Sequence, residues 1–462
     1  MQNEGKCAAA GLRQEWILIM DEARTGALKR AVAIREKAAG AGPDALLREV
    51  MEAAKAEGFA GCYPLCAVRE SVGLLQGCFL FLIPAWSEAQ QWQIAEEMVT
   101  DAELAQAAAR YAQVQMLRNG IYAALAERLV AWFHQNARLL PWRQDRDPYR
   151  IWLSEIMLQQ TRAGAAIPYY ERFLEKLPTI THLAQAKEAM VMKLWEGLGY
   201  YSRARNLQKA AQQIVREYGG EFPREVEKIR ALPGIGPYTA GAIAAICFDE
   251  PEPAIDGNVL RVLSRVMGDF RPIERSALRR DMEAGLRGAY PAQDRGSFEQ
   301  SLIELGAIVC VPNAAPACAA CPLAELCLAH AWGVERELPV RMPKKARRIE
   351  QRGVLLLWCH GKVALRRRAP RGLLAGLWEL PNFEGDFSPQ QLLELAERLG
   401  AAPVRLEQVL RRRHIFSHVE WDMQGAVIAC AEEAEGFFWA DADALRDEVA
   451  LPSAFKIFFD KI

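Results

Sequence analysis

No stretch of the sequence is long and apolar enough to cross a bilayer. The longest apolar run, Val72 to Trp86, is broken by Gln76 and falls short of the roughly 20 residues that a spanning helix needs. A buried strand is the expectation there. Charge of one sign is also lacking: 57 Lys and Arg face 58 Asp and Glu, so any case for nucleic-acid binding must rest on local patches and not on net charge. No secretory signal pattern opens the chain, and the eleven cysteines lack the regular spacing of a short disulfide-framed domain. Disulfides are therefore not expected, and a reducing cytosol is. At 462 residues, 51% of them hydrophobic, the chain exceeds one ordinary core and predicts two or three domains.

Three patterns follow one another along the chain. Residues 1–115 carry helical stretches at Asp44–Lys55 and Glu88–Leu117 around the apolar run Ser71–Pro84, with no motif of known chemistry, and read as a small α/β or mostly helical accessory module. Residues 116–340 show amphipathic segments of helix length with short Gly/Pro breaks, at Tyr122–Asn136, Arg150–Gln160, Ile167–Lys176, Lys187–Leu198, Ala204–Tyr218 and Tyr238–Cys247. That region is all-α. The basic, proline-containing run 341–348 reads as a linker. Residues 349–462 have strand-like runs at Val354–Cys359, Val363–Leu365 and Ala426–Ala431 with one helix at Pro389–Leu399, an α+β mixture.

Cys310, Cys318, Cys321 and Cys327 form C-x7-C-x2-C-x5-C. Soft sulfur ligands this closely grouped can gather around one zinc ion or one iron–sulfur cluster, and the spacing alone leaves both open. The turn Leu232-Pro233-Gly234-Ile235-Gly236-Pro237 lies between two helical segments, where its glycines allow backbone N–H groups to face a phosphate at a helix N-terminus. Asp256 opens the next helical run, as an ordinary N-cap would. Glu155 sits among large apolar neighbours in Trp152-Leu153-Ser154-Glu155-Ile156-Met157, where desolvation would favour its use as a general acid.

Together with Arg138-Leu139-Leu140-Pro141-Trp142-Arg143, Gly197-Leu198-Gly199-Tyr200-Tyr201-Ser202-Arg203 and Asp256-Gly257-Asn258, these segments resemble the MutY branch of the helix-hairpin-helix DNA glycosylases, in matching order from about Asn119 to Leu338. The resemblance implies a monofunctional adenine glycosylase of base excision repair, with the four cysteines holding a [4Fe–4S] cluster. The first cysteine spacer has seven residues where six is commoner, read as a loop addition around Asn313-Ala314-Ala315. Glu155 would protonate adenine, Asp256 would support the sugar cation, Tyr238 would add a hydroxyl near the sugar and Asn258 would orient Asp256. By the same resemblance Gln160, Thr161, Leu198 and Tyr200 would flank the lesion, Arg143 and Gln300 would line the adenine pocket, and Gly234 and Gly236 would hold phosphate. Endonuclease III-like relatives carry a lysine two residues after the second hairpin glycine; Tyr238 stands there instead, so hydrolysis without imine chemistry is expected.

The segment 349–462 resembles the Nudix-like domain with which such enzymes recognise 8-oxoguanine. Leu374-Ala375-Gly376-Leu377-Trp378-Glu379-Leu380-Pro381 matches it in style, whereas Leu393-Glu394-Leu395-Ala396-Glu397-Arg398 lacks the carboxylate run of a magnesium pyrophosphatase. Phe416, Ser417 and His418 look like the lesion-contacting loop, and Arg366–Arg368 with Arg411–Arg413 are candidates for phosphate contact. The expected partner is duplex DNA with adenine opposite 8-oxoguanine or guanine. A monomer, off the membrane, in a bacterial cytosol and associated with the nucleoid when on DNA, is the expected state. A non-catalytic DNA-binding scaffold is the competing class, which the joint presence of Glu155 and Asp256 argues against. A nucleotide pyrophosphatase is disfavoured by the broken carboxylate run.

Overall fold

The helical periodicity read from the sequence becomes a series of helices in the computed structural model, which describes residues 5–7, 12–17, 61–68, 75–83, 101–342 and 346–459. Strands β1 (Gly5–Cys7), β2 (Leu12–Ile17), β3 (Gly61–Val68) and β4 (Leu75–Ile83) form a sheet in the order β1-β2-β4-β3, with β2 and β4 parallel. The expected strand within Val72–Trp86 is thus β4, while the expected helix Asp44–Lys55 and residues 88–100 of Glu88–Leu117 lie outside the described residues. Helix α1 (Asp101–Asn136) runs without a break across residues 115 and 116.

Two compact units are distinguished by their packing: one combines residues up to 139 with 240–343, the other 140–239 with 344 onward. In the first unit, Ile121, Leu125 and Leu129 recur every four residues on α1 and so share one face. They pack with Val259, Val262 and Leu263 of α9 (Gly257–Val266, numbered in chain order), Leu278, Met282 and Leu286 of α10 (Ser276–Ala289), and Phe298, Leu302 and Leu305 of α11 (Arg295–Ile308). Each of these buried side chains contributes about 1.5–3 kcal/mol relative to exposure. The short helix α12 (Leu328–Trp332) closes this core.

The helices of the second unit are α2 (Pro148–Leu158), α3 (Ala163–Lys176), α4 (Ile180–Gln185), α5 (Glu188–Leu194), α6 (Ser202–Tyr218) and α7 (Val226–Arg230), and α8 (Pro237–Phe248) begins there. Trp152, Phe173 and Trp195 are fully buried. Two expected helices end early for a local reason. Residue 160 has φ +61°, and Gly197, Gly199 and Tyr200 have φ +102°, +70° and +47°, so Arg150–Gln160 stops at Leu158 and Lys187–Leu198 at Leu194.

The strands of the same unit are β5 (Arg348–Cys359), β6 (Lys362–Arg367), β7 (Trp378–Glu379), β8 (Asn382–Glu384), β9 (Pro403–Ile415), β10 (Val419–Cys430) and β11 (Phe438–Ala440). Their main path is β11-β6-β5-β10-β9, with β5 and β10 parallel and β9 antiparallel to β10. Alternate residues of β5 face two different cores: Val354 and Leu356 pack beneath α15 (Ser453–Lys456), and Leu355 and Leu357 pack beneath α13 (Pro389–Arg398). Coverage of both faces explains why β5 reads as a continuous apolar run and not as an alternation. Helix α13 starts with a capping box in which Ser388 and Gln391 bond each other's backbone N–H.

A Cβ placed on Gly425 of β10 would lie 2.3 Å from Phe458 Cε1. Gly425→Val is therefore expected to destabilise the sheet unit by about 1–3 kcal/mol through overpacking, read as a lower denaturation midpoint; an unchanged midpoint would show that Phe458 can give way.

Candidate functional site

Helix α2 is buried on nearly all sides because Trp152, Leu153, Ile156 and Met157 leave no solvent-facing stripe. Asp147 caps its start, accepting from the Tyr149 and Arg150 N–H groups at 2.8 and 3.2 Å, and Pro148 fits the first helical position. Glu155 projects from this helix at 7% exposure. The Tyr238 hydroxyl donates to Glu155 Oε2 at 2.8 Å, joining residues 83 apart in sequence.

The C-terminal carbonyls of α2 are met by a residue to which the sequence reading gave no role. Arg203 Nη1 donates to the carbonyls of Ile156, Met157 and Gln159 at 2.6, 3.2 and 2.8 Å, and Nη2 donates to those of Leu198 and Gly199 at 3.0 and 3.2 Å. One guanidinium thus ties the helix carrying Glu155 to the loop 197–200. Burial pulls its pKa down to about 10, which leaves it charged at neutral pH. In that loop a Cβ on Gly197 would meet the Tyr169 hydroxyl at 2.3 Å, so close approach as well as positive φ calls for glycine. Leu198 is buried, Tyr200 is 46% exposed, Gln160 is exposed and Thr161 is half-buried. Arg143 is half-buried at the end of a 3-10 turn, Pro141–Arg143.

The turn between α7 and α8 has Gly234 at φ +77°, and a Cβ there would lie 2.6 Å from Asn206 Cβ. Ile235 is buried and anchors the turn, its N–H donating to Leu232 O at 3.2 Å. Around Gly236 the space is open. Pro237, which has no N–H to satisfy, opens α8.

In the other unit Asp256 is half-buried and caps α9, as its N-cap reading expected. Oδ1 accepts from the Asn258 and Val259 N–H groups at 2.8 and 2.7 Å, and Oδ2 accepts from Asn258 Nδ2 at 2.7 Å. Burial pushes its pKa up, against these three hydrogen bonds, which favour the ion. Asn258 Oδ1 accepts from Arg261 Nη2 at 2.9 Å, and Arg261 Nε donates to Cys310 O at 2.8 Å, so a polar chain runs from Asp256 to the first cysteine. Gln300 lies half-buried on α11 and donates to Gly296 O at 3.3 Å.

Cys310, Cys318, Cys321 and Cys327 line one small cavity, together with Val262, Leu305 and Arg265. Arg265 Nη1 lies 3.1 Å from Cys310 Sγ. Burial pushes the Cys321 thiol up to about 11 and that of Cys327 to about 12, and the neighbouring sulfurs add to the rise. Thiols raised in this way, Cys318 among them, ionise more readily beside a cationic centre. Ligand atoms of Cys318, His330 and Glu335 also lie within 4.8 Å of one another, with His330 Nδ1 2.5 Å from Glu335 Oε1. This is a candidate metal-binding group, and the sequence reading did not anticipate the histidine or the glutamate.

Residues 416–418 form the turn between β9 and β10, closed by the Phe416 N–H donating to Val419 O at 2.8 Å. The Phe416 ring packs against Trp421 at 4.8 Å and His414 at 4.6 Å, while Ser417 and His418 are exposed, 3.3 Å apart between Oγ and Nδ1. Several of the nearby arginines have partners within the domain. Arg366 and Arg368 pair with buried Glu379, Arg413 pairs with Glu420, and Arg412 donates to Ile457 O. Arg367, Arg411 and Arg413 remain exposed.

Residues 153–286 match the HhH-GPD superfamily base excision DNA repair protein family, and residues 353–461 match the NUDIX domain family. The adenine DNA glycosylase of Mus musculus is 36% identical over 360 residues, covering 65% of this chain and 70% of that protein. The chain belongs to the adenine DNA glycosylase family. The Rattus norvegicus member is 36% identical over 400 residues, covering 72% of this chain and 77% of its own. A solved thermostable thymine-DNA glycosylase has 26% identity and a TM-score of 0.42, covering 46% of this chain and 98% of its own.

Within this glycosylase Glu155 and Tyr238 meet directly, Asp256 and Asn258 meet directly, and the four cysteines share one cavity. Because burial raises the pKa of Asp256, folding favours its neutral acid more than the unfolded chain does; that stabilisation is full below the ordinary value of 3.8 and is lost as pH rises through the raised one, above which the carboxylate is the anion. Asp256→Asn removes the charge and keeps a capping side chain. Its melting temperature relative to the native chain is expected to rise as pH climbs from the ordinary 3.8 through the raised value, and a difference independent of pH would contradict the assignment.

Proposed function

We propose that this chain excises adenine paired with 8-oxoguanine or guanine in duplex DNA, acting as a monofunctional hydrolase. The observation that carries the reading is a carboxylate, Glu155, held inside a buried helix with the Tyr238 hydroxyl on one of its oxygens, at the hairpin position where an imine-forming relative would carry lysine. Adenine in a duplex hides its glycosidic bond, so the nucleotide must first leave the stack, at a cost of a few kcal/mol. Tyr200 and Gln160, exposed beside the Arg203 clamp, suit the side of the opened stack, with Thr161 and Leu198 behind them. Arg143 and Gln300 are assigned to the adenine, and the backbone around Gly234 and Gly236 to phosphate.

Adenine leaves poorly as an anion. Glu155 gives its proton to adenine N7 as the bond from C1′ to N9 breaks, the sugar takes on positive charge, and water adds at C1′ as its proton passes to the Glu155 carboxylate. Asp256, oriented by Asn258, supports that charge as an anion. Ser417 and His418 are assigned to the lesion strand, since a hydroxyl and a ring nitrogen can sense the N7 hydrogen and O8 that set 8-oxoguanine apart from guanine.

The donor set of the cysteine cavity fits a [4Fe–4S] cluster held by Cys310, Cys318, Cys321 and Cys327, which when bound would tie the loop 310–327 together through four iron–thiolate bonds. The His330 and Glu335 pair at Cys318 favours a zinc site as the second reading.

Two measurements bear on these assignments. Glu155→Gln keeps shape but cannot supply the proton, so it is expected to bind A:8-oxoguanine duplex normally and lose at least about two orders of magnitude in single-turnover excision; a near-native rate would return the chain to the class of DNA-binding scaffolds. The purified protein is expected to be brown with about four iron and four sulfide per chain, whereas a colourless protein with stoichiometric zinc would sink the cluster.

A further inference from the structure

Loop 197–200 is held from a second direction. Just before it, Lys193 and Glu196 form an ion pair at 2.8 Å whose side chains are only 17% and 8% exposed. The Lys193 ammonium also donates to Leu445 O at 2.8 Å and Val449 O at 2.9 Å, so all three of its hydrogens have acceptors. Leu445 belongs to the last turn of α14 (Ala442–Asp447), where a cation meets carbonyls without helical donors. Glu196 Oε1 accepts from the Leu451 N–H at 2.7 Å, and Oε2 lies 2.9 Å from Lys456 Nζ of α15. Two side chains from the helical segment thus engage four positions of the C-terminal domain.

Between them stands Trp195, fully buried, with Nε1 donating to Gly199 O at 3.1 Å and the Arg203 guanidinium 5.2 Å above its ring. The chain from 193 to 200 is therefore a short rigid bridge with the C-terminal domain at one end and exposed Tyr200 at the other. A largely buried ion pair whose further hydrogen bonds reach across the fold adds little net stability over an apolar contact, yet it specifies one arrangement of the parts that it joins.

We propose that Lys193 and Glu196 are specificity-determining positioning residues, through which docking of the C-terminal domain sets the placement of loop 197–200 on DNA and couples recognition of the opposite base to adenine excision. The proposal rests on the assignment of the turn 416–418 to lesion recognition. Coupling of this kind requires that docking energy differ between a duplex carrying 8-oxoguanine and one carrying guanine.

The test compares single-turnover excision by full-length protein on A:8-oxoguanine and A:G duplexes. Lys193→Met keeps the length of the stem and removes all three donors. It is expected to lower the preference for 8-oxoguanine about tenfold, an ordinary size for coupling between sites, while the A:G rate stays within about twofold. Glu196→Gln, which keeps size and an acceptor for the Leu451 N–H, moves the preference in the same direction and stands in if Lys193→Met does not fold. An unchanged preference, or a parallel fall in both rates, overturns the proposal. Ser417→Ala run alongside separates the two levels: if it lowers the preference and the Lys193 and Glu196 variants do not, the coupling alone is wrong. A native chain without any preference overturns the recognition assignment and the coupling together.

Discussion

Carbonyl groups at the end of a helix need donors, and at the end of α2 water cannot supply them because that end is buried. Arg203 does so, and the arrangement of the site follows from it. The same guanidinium that satisfies residues 156, 157 and 159 also satisfies residues 198 and 199, so the helix bearing Glu155 and the loop bearing Tyr200 cannot shift independently. A lysine could not span five carbonyls in two directions, since its ammonium is a point donor with three hydrogens. Desolvation lowers the pKa of Arg203 without neutralising it, which is the property that makes arginine usable at such a depth.

Asp256 shows the opposite economy, in which the residue proposed for the site also caps a helix. An N-cap normally lies at the surface, where an aspartate is cheap. Here it is desolvated, and its three hydrogen bonds offset part of the cost of the charge. Those bonds are drawn from the helix that it caps and from Asn258, which is in turn fixed by Arg261 and through it by the backbone at Cys310. The contact of Gly306 with Asn258, where a Cβ would stand at 2.7 Å, keeps α9 and α11 close enough for that chain to form.

What the sequence made legible was whatever depends on neighbours along the chain. Helix cores, the strand at 75–83, the hairpin glycines and the cysteine group all follow from periodicity, turn chemistry or spacing, and they stand in the structure within a few residues of expectation. Helix ends at 158 and 194 were placed too late because apolar periodicity continues through Leu198, while the φ values of the following residues, which stop the helix, depend on Tyr169 and Arg203. Pairings across long separations were invisible: Lys193 with Val449, 256 residues apart, or Arg203 with the end of α2, or His330 and Glu335 beside Cys318. Equally invisible was the pairing of the arginines at 366, 368 and 413 with the buried Glu379 and Glu420.

A Nudix-like sheet without its carboxylates also has a physical logic. Both faces of the β5 and β10 pair are covered, by α13 on one side and α15 on the other, so neither face is free to bind a base. The turn joining β9 to β10 at the sheet's edge, in contrast, presents side chains to solvent. A bare turn would be too mobile to discriminate between two purines that differ by one hydrogen and one oxygen. Phe416 removes that difficulty: its ring stacks edge-on against Trp421, which is fully buried, and its N–H is bonded to Val419 O. Ser417 and His418 are thereby projected from an anchored turn, and rigidity rather than number of contacts is what the proposed discrimination by two small polar groups requires.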